Sequence, residues 1–184
     1  MTDQHQDEGL LSRVSAGDRT AMKALYERHS DGVYQFVRSW LRDPHQAADI
    51  VHETMLSVWR NADKFQHRST VKSWIFSIAR NKAVDHNRKM GRASFTDEMP
   101  EIVDDAPDPL AYASANQAAA HLKECISQLS EAHRQVIHLT FFEELTYEQI
   151  AQIEDRPVGT IKTRVLHAKK LLARCVSNKE NQRR

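Results

Sequence analysis

Apolar residues in this chain recur at helical intervals, and no stretch alternates in the period-two manner of a half-buried strand. After a polar start of seven or eight residues, read as a disordered tail, Leu10, Leu11 and Val14 begin a short helix that Ala16-Gly17-Asp18 closes. Ala21, Ala24 and Leu25 open the next one. Val33, Phe36, Val37, Trp40 and Leu41 then fall at the i, i+3, i+4, i+7, i+8 positions of a core-facing surface. Asp43-Pro44 breaks that run and starts another helix, proline being suited to a first turn. Over residues 45–62, Ala47, Ile50, Val51, Thr54 and Val58 point one way, while Asp49, His52, Glu53 and Leu56 form a stripe on the other side. That stripe mixes acids with an apolar residue, which suits a partner surface; a solvated acidic face is the plainer alternative. A polar and basic loop, 61–69, leads to a helix burying Val71, Trp74, Ile75, Ile78 and Ala79 and showing Ser77, Arg80, Asn81, Val84 and Arg88.

The pattern lapses over residues 91–113, where Pro100, Pro107 and Pro109 stand among six acids and no base between Phe95 and Pro109. This composition makes a linker and places a domain boundary in it. The expected organisation is all-α: a helical domain over 8–92, a linker over 93–113 and a second helical domain over 114–176. In the second domain, Ala118–Leu129 and Glu131–Phe142 are helices with Leu122, Ile126, Leu129, Val136, Ile137, Thr140 and Phe141 inward. Thr146 and Gln149 then fit a capping box before a short helix carrying Tyr147, Ile150, Ala151 and Ile153. Asp155-Arg156-Pro157 breaks it. The helix that follows buries Val158, Ile161, Val165, Ala168 and Leu172 and carries Lys162, Thr163, Leu166, His167, Lys169 and Lys170 on its other face. A short helix, a turn and a longer basic helix form the layout of a helix-turn-helix, whose second helix enters the DNA major groove. An ordinary helical hairpin with a solvated basic face has the same pattern. SNKENQRR is expected to be a frayed tail.

Charge sharpens this picture. The 184 residues carry a formal net charge of only +1, but the average conceals segregation. Residues 1–60 sum to −2, 61–92 to +6, 93–155 to −11 and 156–184 to +8. Two basic blocks separated by an acidic one suggest two nucleic-acid footprints. Around 64–89, Lys64, Arg68, Lys72, Lys82 and Lys89 can neutralise phosphates, and an aromatic with a nearby amide can stack on and hydrogen-bond an exposed base. That combination fits single-stranded or melted DNA, although Trp74 and Phe76 also suit a core.

Other chemistry finds little support. Cys125 and Cys175 lie far apart and in no C-x-x-C pair, so no disulfide is expected. His45, Asp49, His52 and Glu53 share helical spacing but not the H-E-x-x-H zinc pattern, so no metal and no cofactor is expected. No nucleophile–base pairing or glycine-rich phosphate loop stands out, so catalysis is not expected. No apolar run reaches the ~20 residues that span a bilayer, and MTDQHQDEG has no signal-peptide core; membrane insertion is not expected, and the cytoplasm is the expected compartment.

Taken in order, three stretches resemble one family. DIVHETMLSVWRNADKF (49–65) resembles the core-polymerase-binding segment of bacterial sigma factors of the extracytoplasmic-function group. SWIFSIARNKAVDHNRK (73–89) looks like their promoter-melting and −10-reading helix, and residues 129–172 are similar to their −35-reading domain. The resemblance implies that Asp49, His52, Glu53 and Leu56 meet the clamp helices of core RNA polymerase, although glutamine is usual where His52 stands. It implies that Phe65, Arg80, Asn81 and Arg88 handle the −10 strand. Lys162, Thr163, Leu166 and His167 would face −35 bases, with Thr160, Arg164 and Lys169 as phosphate contacts. The acidic linker would thread toward the polymerase's active-centre and RNA-exit channels, and a cognate anti-sigma factor would hold the protein inactive. Two departures stand out: Glu154-Asp155-Arg156 replaces the family's Leu-Gly-Ile turn, and His167 replaces a basic residue. The competing reading is a helix-turn-helix regulator, or a sigma-like decoy for an anti-sigma factor, without initiation activity.

Overall fold

Side chains that satisfy orphan amides set where most of the helices begin. In the computed structural model, which describes residues 2–41, 43–91 and 115–181, α1 (Thr2–Ser15) ends before Gly17, whose φ of 87° is open to glycine at no steric cost. Asp18 caps α2 (Arg19–Arg38) by accepting from the Thr20 and Ala21 amides at 2.8 and 3.1 Å. Asp43 does the same for α3 (Pro44–Asn61), with proline in the first turn where no amide hydrogen is needed. One 3-10 turn (Ala62–Lys64) leads into a loop, and Thr70 caps α4 (Val71–Lys89) through the Ser73 amide. The second half holds α5 (Ala115–Ser127), α6 (Glu131–Ile137), a π turn (His138–Phe142), α7 (Tyr147–Glu154) and α8 (Val158–Asn181). The described residues are all helix, turn or loop, as the all-α expectation had it. The linker assigned to 93–113 lies outside the described residues.

Helices α1 to α4 pack together, and every predicted inward residue of α2 and α3 is buried. On α4 the buried set is Val71, Ser73, Ile75, Phe76, Ala79 and Ala83. Phe76 is fully enclosed with its ring 5.4 Å from that of Phe36, while Trp74 is half-buried beside Phe65 at 5.3 Å. The apolar core does not stop at the expected domain boundary. It continues through Val136, Leu139, Leu145, Ile150, Ile153, Ile161 and Val165, with α4 lying on α7.

Four expectations need correction. The polar start is no loose tail: Asp7 is buried in α1 and pairs with Arg28 Nε and His29 Nε2, each at 2.8 Å. Burial alone would raise the Asp7 carboxyl, but the His29 and Arg28 bonds and charges hold it below its ordinary value. Second, Phe141 points outward and Thr140 is only half-buried, while Leu139 is fully buried. The cause is the π turn, in which the Glu143 amide donates to the His138 carbonyl five residues back at 3.1 Å, so the extra residue rotates the face. Third, Leu122 is exposed, and its place inward on α5 goes to Cys125, which is disulfide-bonded to Cys175 of α8 with Cα atoms 5.8 Å apart. Packing of α5 on α8 joins cysteines that sequence spacing separates. Fourth, α8 runs on to Asn181, through much of the stretch expected to fray.

Phe36→Ala should cost about 3–5 kcal/mol, because it deletes a fully buried ring at the junction of both halves. Urea denaturation measures this, and a loss below about 1 kcal/mol would contradict the packing described.

Candidate nucleic-acid interface

The turn between α7 and α8 decides whether a reading helix can form. At its start, the capping box is complete: the Thr146 hydroxyl accepts from the Gln149 amide at 3.3 Å, and the Gln149 side chain accepts from the Thr146 amide at 2.8 Å. At its end, Asp155 takes the left-handed conformation (φ 53°, ψ 52°), and the Asp155 and Arg156 amides both donate to the Ala151 carbonyl. This is the closure glycine usually makes. Aspartate enters that region at a cost of roughly 1 kcal/mol, so the Glu154-Asp155-Arg156 departure leaves the turn geometry in place.

Glu154 is the unusual member. It is 3% exposed, and its Oε1 has no hydrogen-bond partner. Burial pushes its carboxyl up to about 7, against the pull of Arg80, Arg164 and Arg156. Arg156 itself is exposed, as are Asp155 and Pro157 on either side of it.

Helix α8 divides as its periodicity predicts. Ile161, Val165 and Ala168 are buried, while Lys162, Thr163, Leu166, His167 and Lys169 are exposed along the opposite side. Thr160 and Arg164 sit half-buried at the margin. The Thr163 hydroxyl donates to the Gly159 carbonyl at 3.0 Å, and the Lys169 ammonium lies 5.1 Å above the Phe141 ring, a cation–π contact.

A second candidate surface runs along α4 and the loop before it. Phe65 is half-buried, its ring 4.7 Å from His67 and 5.3 Å from Trp74. Asn81 and Arg88 are exposed. Arg80 behaves differently: Nη1 donates to the Asn81 side chain at 3.2 Å, and Nη2 reaches across to the Glu154 carbonyl of α7 at 3.2 Å. Four of the sequence-predicted residues, Asp49, His52, Glu53 and Leu56, form a third surface on α3, all exposed on the face opposite its buried residues. Glu53 pairs with Lys82 of α4 at 3.3 Å.

Sequence reasoning missed a cluster between the two halves. Glu143, just after the π turn, pairs with Lys72 of α4 at 2.7 Å and with His138 at 3.3 Å. Lys72 also donates to the Glu143 backbone carbonyl at 2.8 Å, and His138 lies 3.1 Å from the Gly32 carbonyl on α2. Burial would raise the Glu143 carboxyl, but the His138 and Lys72 bonds and charges hold it below its ordinary value. These residues are ordinary helix-surface types at unrelated spacings, so no local signal could have found them. Among the described residues, no three His, Cys, Asp or Glu side chains gather into a metal-binding group, and no helix is long and apolar enough to cross a membrane.

Comparisons with known proteins follow the same division. Residues 25–93 match the family model of Sigma-70 region 2, and residues 120–172 match that of Sigma-70 region 4. The chain is 30% identical over 173 residues to the ECF RNA polymerase sigma factor SigK of Mycobacterium tuberculosis, covering 92% of each. It is 28% identical over 182 residues to the RNA polymerase sigma-H factor of Pseudomonas aeruginosa, covering 94% of each. Among solved structures, the sigma factor RpoE of Bartonella quintana, seen in complex with the anti-sigma factor NepR, is similar at a TM-score of 0.64 and 27% identity, over 84% of this chain and 96% of that one. CnrH, in complex with the cytosolic domain of CnrY, shares the fold at a TM-score of 0.66 and 21% identity, over 94% of this chain and 98% of that one.

The buried Glu154 carboxyl makes stability depend on pH. Its value is raised from 4.5 to about 7 in the folded chain, so the folded state holds a proton there that the unfolded state has released. Stability is therefore lost as pH rises through that window. Glu154→Gln keeps the shape without the charge. Its stability advantage over the wild type should grow from near zero at pH 5 to on the order of 2–3 kcal/mol at pH 8, read from urea midpoints. A difference that stays constant with pH would rule out the buried carboxyl.

Proposed function

The chain belongs to the extracytoplasmic-function group of RNA polymerase sigma factors, and from that membership we infer how its three exposed surfaces divide the work of initiation. It binds core RNA polymerase and directs promoter-specific transcription initiation, with its activity held in check by an anti-sigma factor. The anti-sigma factor bound to the Bartonella quintana relative supports that last partner. The factor works alongside polymerase in the cytoplasm and makes or breaks no covalent bond itself.

Asp49, His52, Glu53 and Leu56 of α3 dock on the polymerase clamp helices. Phe65, Arg80, Asn81 and Arg88 take the −10 strand. Stacking on an aromatic ring stabilises an unpaired base by ~1–3 kcal/mol, which offsets an unpairing cost of a few kcal/mol. Lys162, Thr163, Leu166 and His167 read −35 base edges, and Thr160, Arg164 and Lys169 hold phosphates. The 8–92 and 114–176 segments are the two reading domains.

One observation carries this reading: the polar face of α8 is open along its length while its apolar face is buried, behind a turn closed in helix-turn-helix fashion. A plain repressor would have no use for the exposed acidic stripe on α3, and a decoy none for the basic face of α8.

Run-off transcription with purified core polymerase on a promoter library tests the reading, and a protein that binds core polymerase yet yields no dependent transcript would sink it. In the same assay, Lys162→Ala and His167→Ala should each lower −35 discrimination by ~1–3 kcal/mol per lost base contact. An unchanged −35 preference in both would mean that α8 reads with another face.

A further inference from the structure

Several cations of the second half either serve the fold or stand on the reading face. Arg134 donates to the Ser127, Leu129 and Ser39 carbonyls at 3.0 to 3.2 Å, and Lys169 sits over the Phe141 ring. Lys162 is exposed on the side of α8 assigned to −35 bases. Arg156 fits neither group. It lies in the turn before α8 and is exposed, and among the described residues its guanidinium makes no hydrogen bond or ion pair.

The backbone around Arg156 is fixed even though its side chain is not. Its amide donates to the Ala151 carbonyl at 3.1 Å, and Asp155 before it holds the left-handed conformation. Pro157 after it locks its own φ. The Arg156 Cα is thus anchored to α7 on one side and to the start of α8 on the other. A long cationic side chain with a fixed root and an unengaged end suits a contact made when a ligand arrives.

The surroundings say which ligand. In a helix-turn-helix the first helix crosses the DNA backbone, and the first residues of the second meet base edges. The turn that joins them passes beside the phosphates flanking the groove. Approach is open there: a Cβ built on Gly159 would meet nothing within 4 Å. Thr160, assigned to a phosphate, follows four positions after Arg156. A guanidinium suits this place, because it is always charged and its forked donors match phosphate oxygens. Two carboxylates act against it, since Glu148 and Asp155 line the same shallow depression as Arg156 and Gln152. Both are exposed. Salt screens such charges over about 8 Å, whereas a phosphate held at hydrogen-bond distance keeps most of its attraction.

We propose that Arg156 is a further DNA-contacting residue, which grips a backbone phosphate beside the major groove and sets the register in which α8 docks. This rests on the assignment of α8 to the −35 element. It adds a contact that carries position and no sequence information.

The test uses the full chain bound to core polymerase. The ligands are a duplex promoter selected from the library and the same duplex with its −35 element scrambled. Arg156→Ala should weaken binding to both duplexes by the same factor and leave their ratio at the wild-type value. Losing one phosphate contact should flatten the dependence of log affinity on log salt by ~0.9. Between 50 and 200 mM salt, the wild type should therefore lose roughly 3.5-fold more affinity than the variant. Arg156→Lys keeps the charge and should keep the slope. The thermal midpoint of Arg156→Ala should match the wild type, because an exposed side chain without bonds leaves no gap. The contact is ruled out by a wild-type slope in Arg156→Ala, by a slope lost equally in Arg156→Lys, or by a lowered midpoint. A −35 ratio that shifts as it does in Lys162→Ala overturns it too, since that would make Arg156 a reader of bases. Run-off transcription keeps the two ideas apart. If Lys162→Ala alters −35 preference while Arg156→Ala behaves as the wild type, the phosphate contact falls and the reading of α8 stands. If Arg156→Ala flattens the slope of a protein that binds core polymerase but yields no transcript, the contact stands and the assignment to initiation falls.

Discussion

One aromatic ring ties the molecule together. Phe36 of α2 lies 6.3 Å from Trp40 on its own helix, 5.4 Å from Phe76 on α4 and 6.5 Å from the imidazole of His138, which belongs to the other half of the chain. No solvent reaches it. Interiors packed this densely cannot yield a little at one point without moving the rest. His138 also opens the π turn and contacts the Gly32 carbonyl and the Glu143 carboxylate, so the ring stands beside the contacts that join the halves. Among the described residues, the two halves thus share one apolar core, with a smaller cluster of Leu129, Ile137 and Ala168 beside it.

The segregation of charge along the chain takes on a different meaning in that body. Two residues of the acidic block meet the basic block over 61–92: the Glu143 carboxylate pairs with Lys72, and the Glu154 backbone carbonyl accepts from Arg80. Part of a basic block that suggests a polyanion footprint in one dimension is thus partnered within the chain in three. The two glutamates that the second half brings to the contact behave oppositely. Glu143 is surrounded by donors and stays below its ordinary value, while Glu154 has an orphaned oxygen and is pushed to about 7. Hydrogen bonds to the charged form outweigh burial in one place and are missing in the other.

Periodicity made most of the helices legible. The inward faces of α2, α3 and α8 and the exposed stripe at Asp49, His52, Glu53 and Leu56 follow from the 3.6-residue repeat, while the Thr146 cap and the first-turn Pro44 were legible from residue chemistry. What it could not supply were features that break the repeat or span it. The π turn adds one residue and turns Phe141 to solvent where regular winding would bury it. Asp7 belongs to a polar run that local composition marks as loose, and only partners more than twenty positions away hold it. Gly32 looks like a blemish in a helix until Glu143 is seen against it. The surface residues assigned to α8 stand where periodicity put them, whereas Arg80 is exposed by its helix and claimed by a distant carbonyl.

The disulfide between Cys125 and Cys175 gives the two halves different topologies. It closes a loop across a sequence separation of 50 residues, and that loop encloses α6, α7 and most of α8. In a chain-entropy description, a ring of that size restricts the unfolded ensemble by about 4 kcal/mol. The reading unit built around the helix-turn-helix is therefore a covalent macrocycle, and the remainder is a linear polymer. Unfolding of the linear arm frees its full conformational range, whereas the ring keeps Cys125 and Cys175 together even when its helices melt.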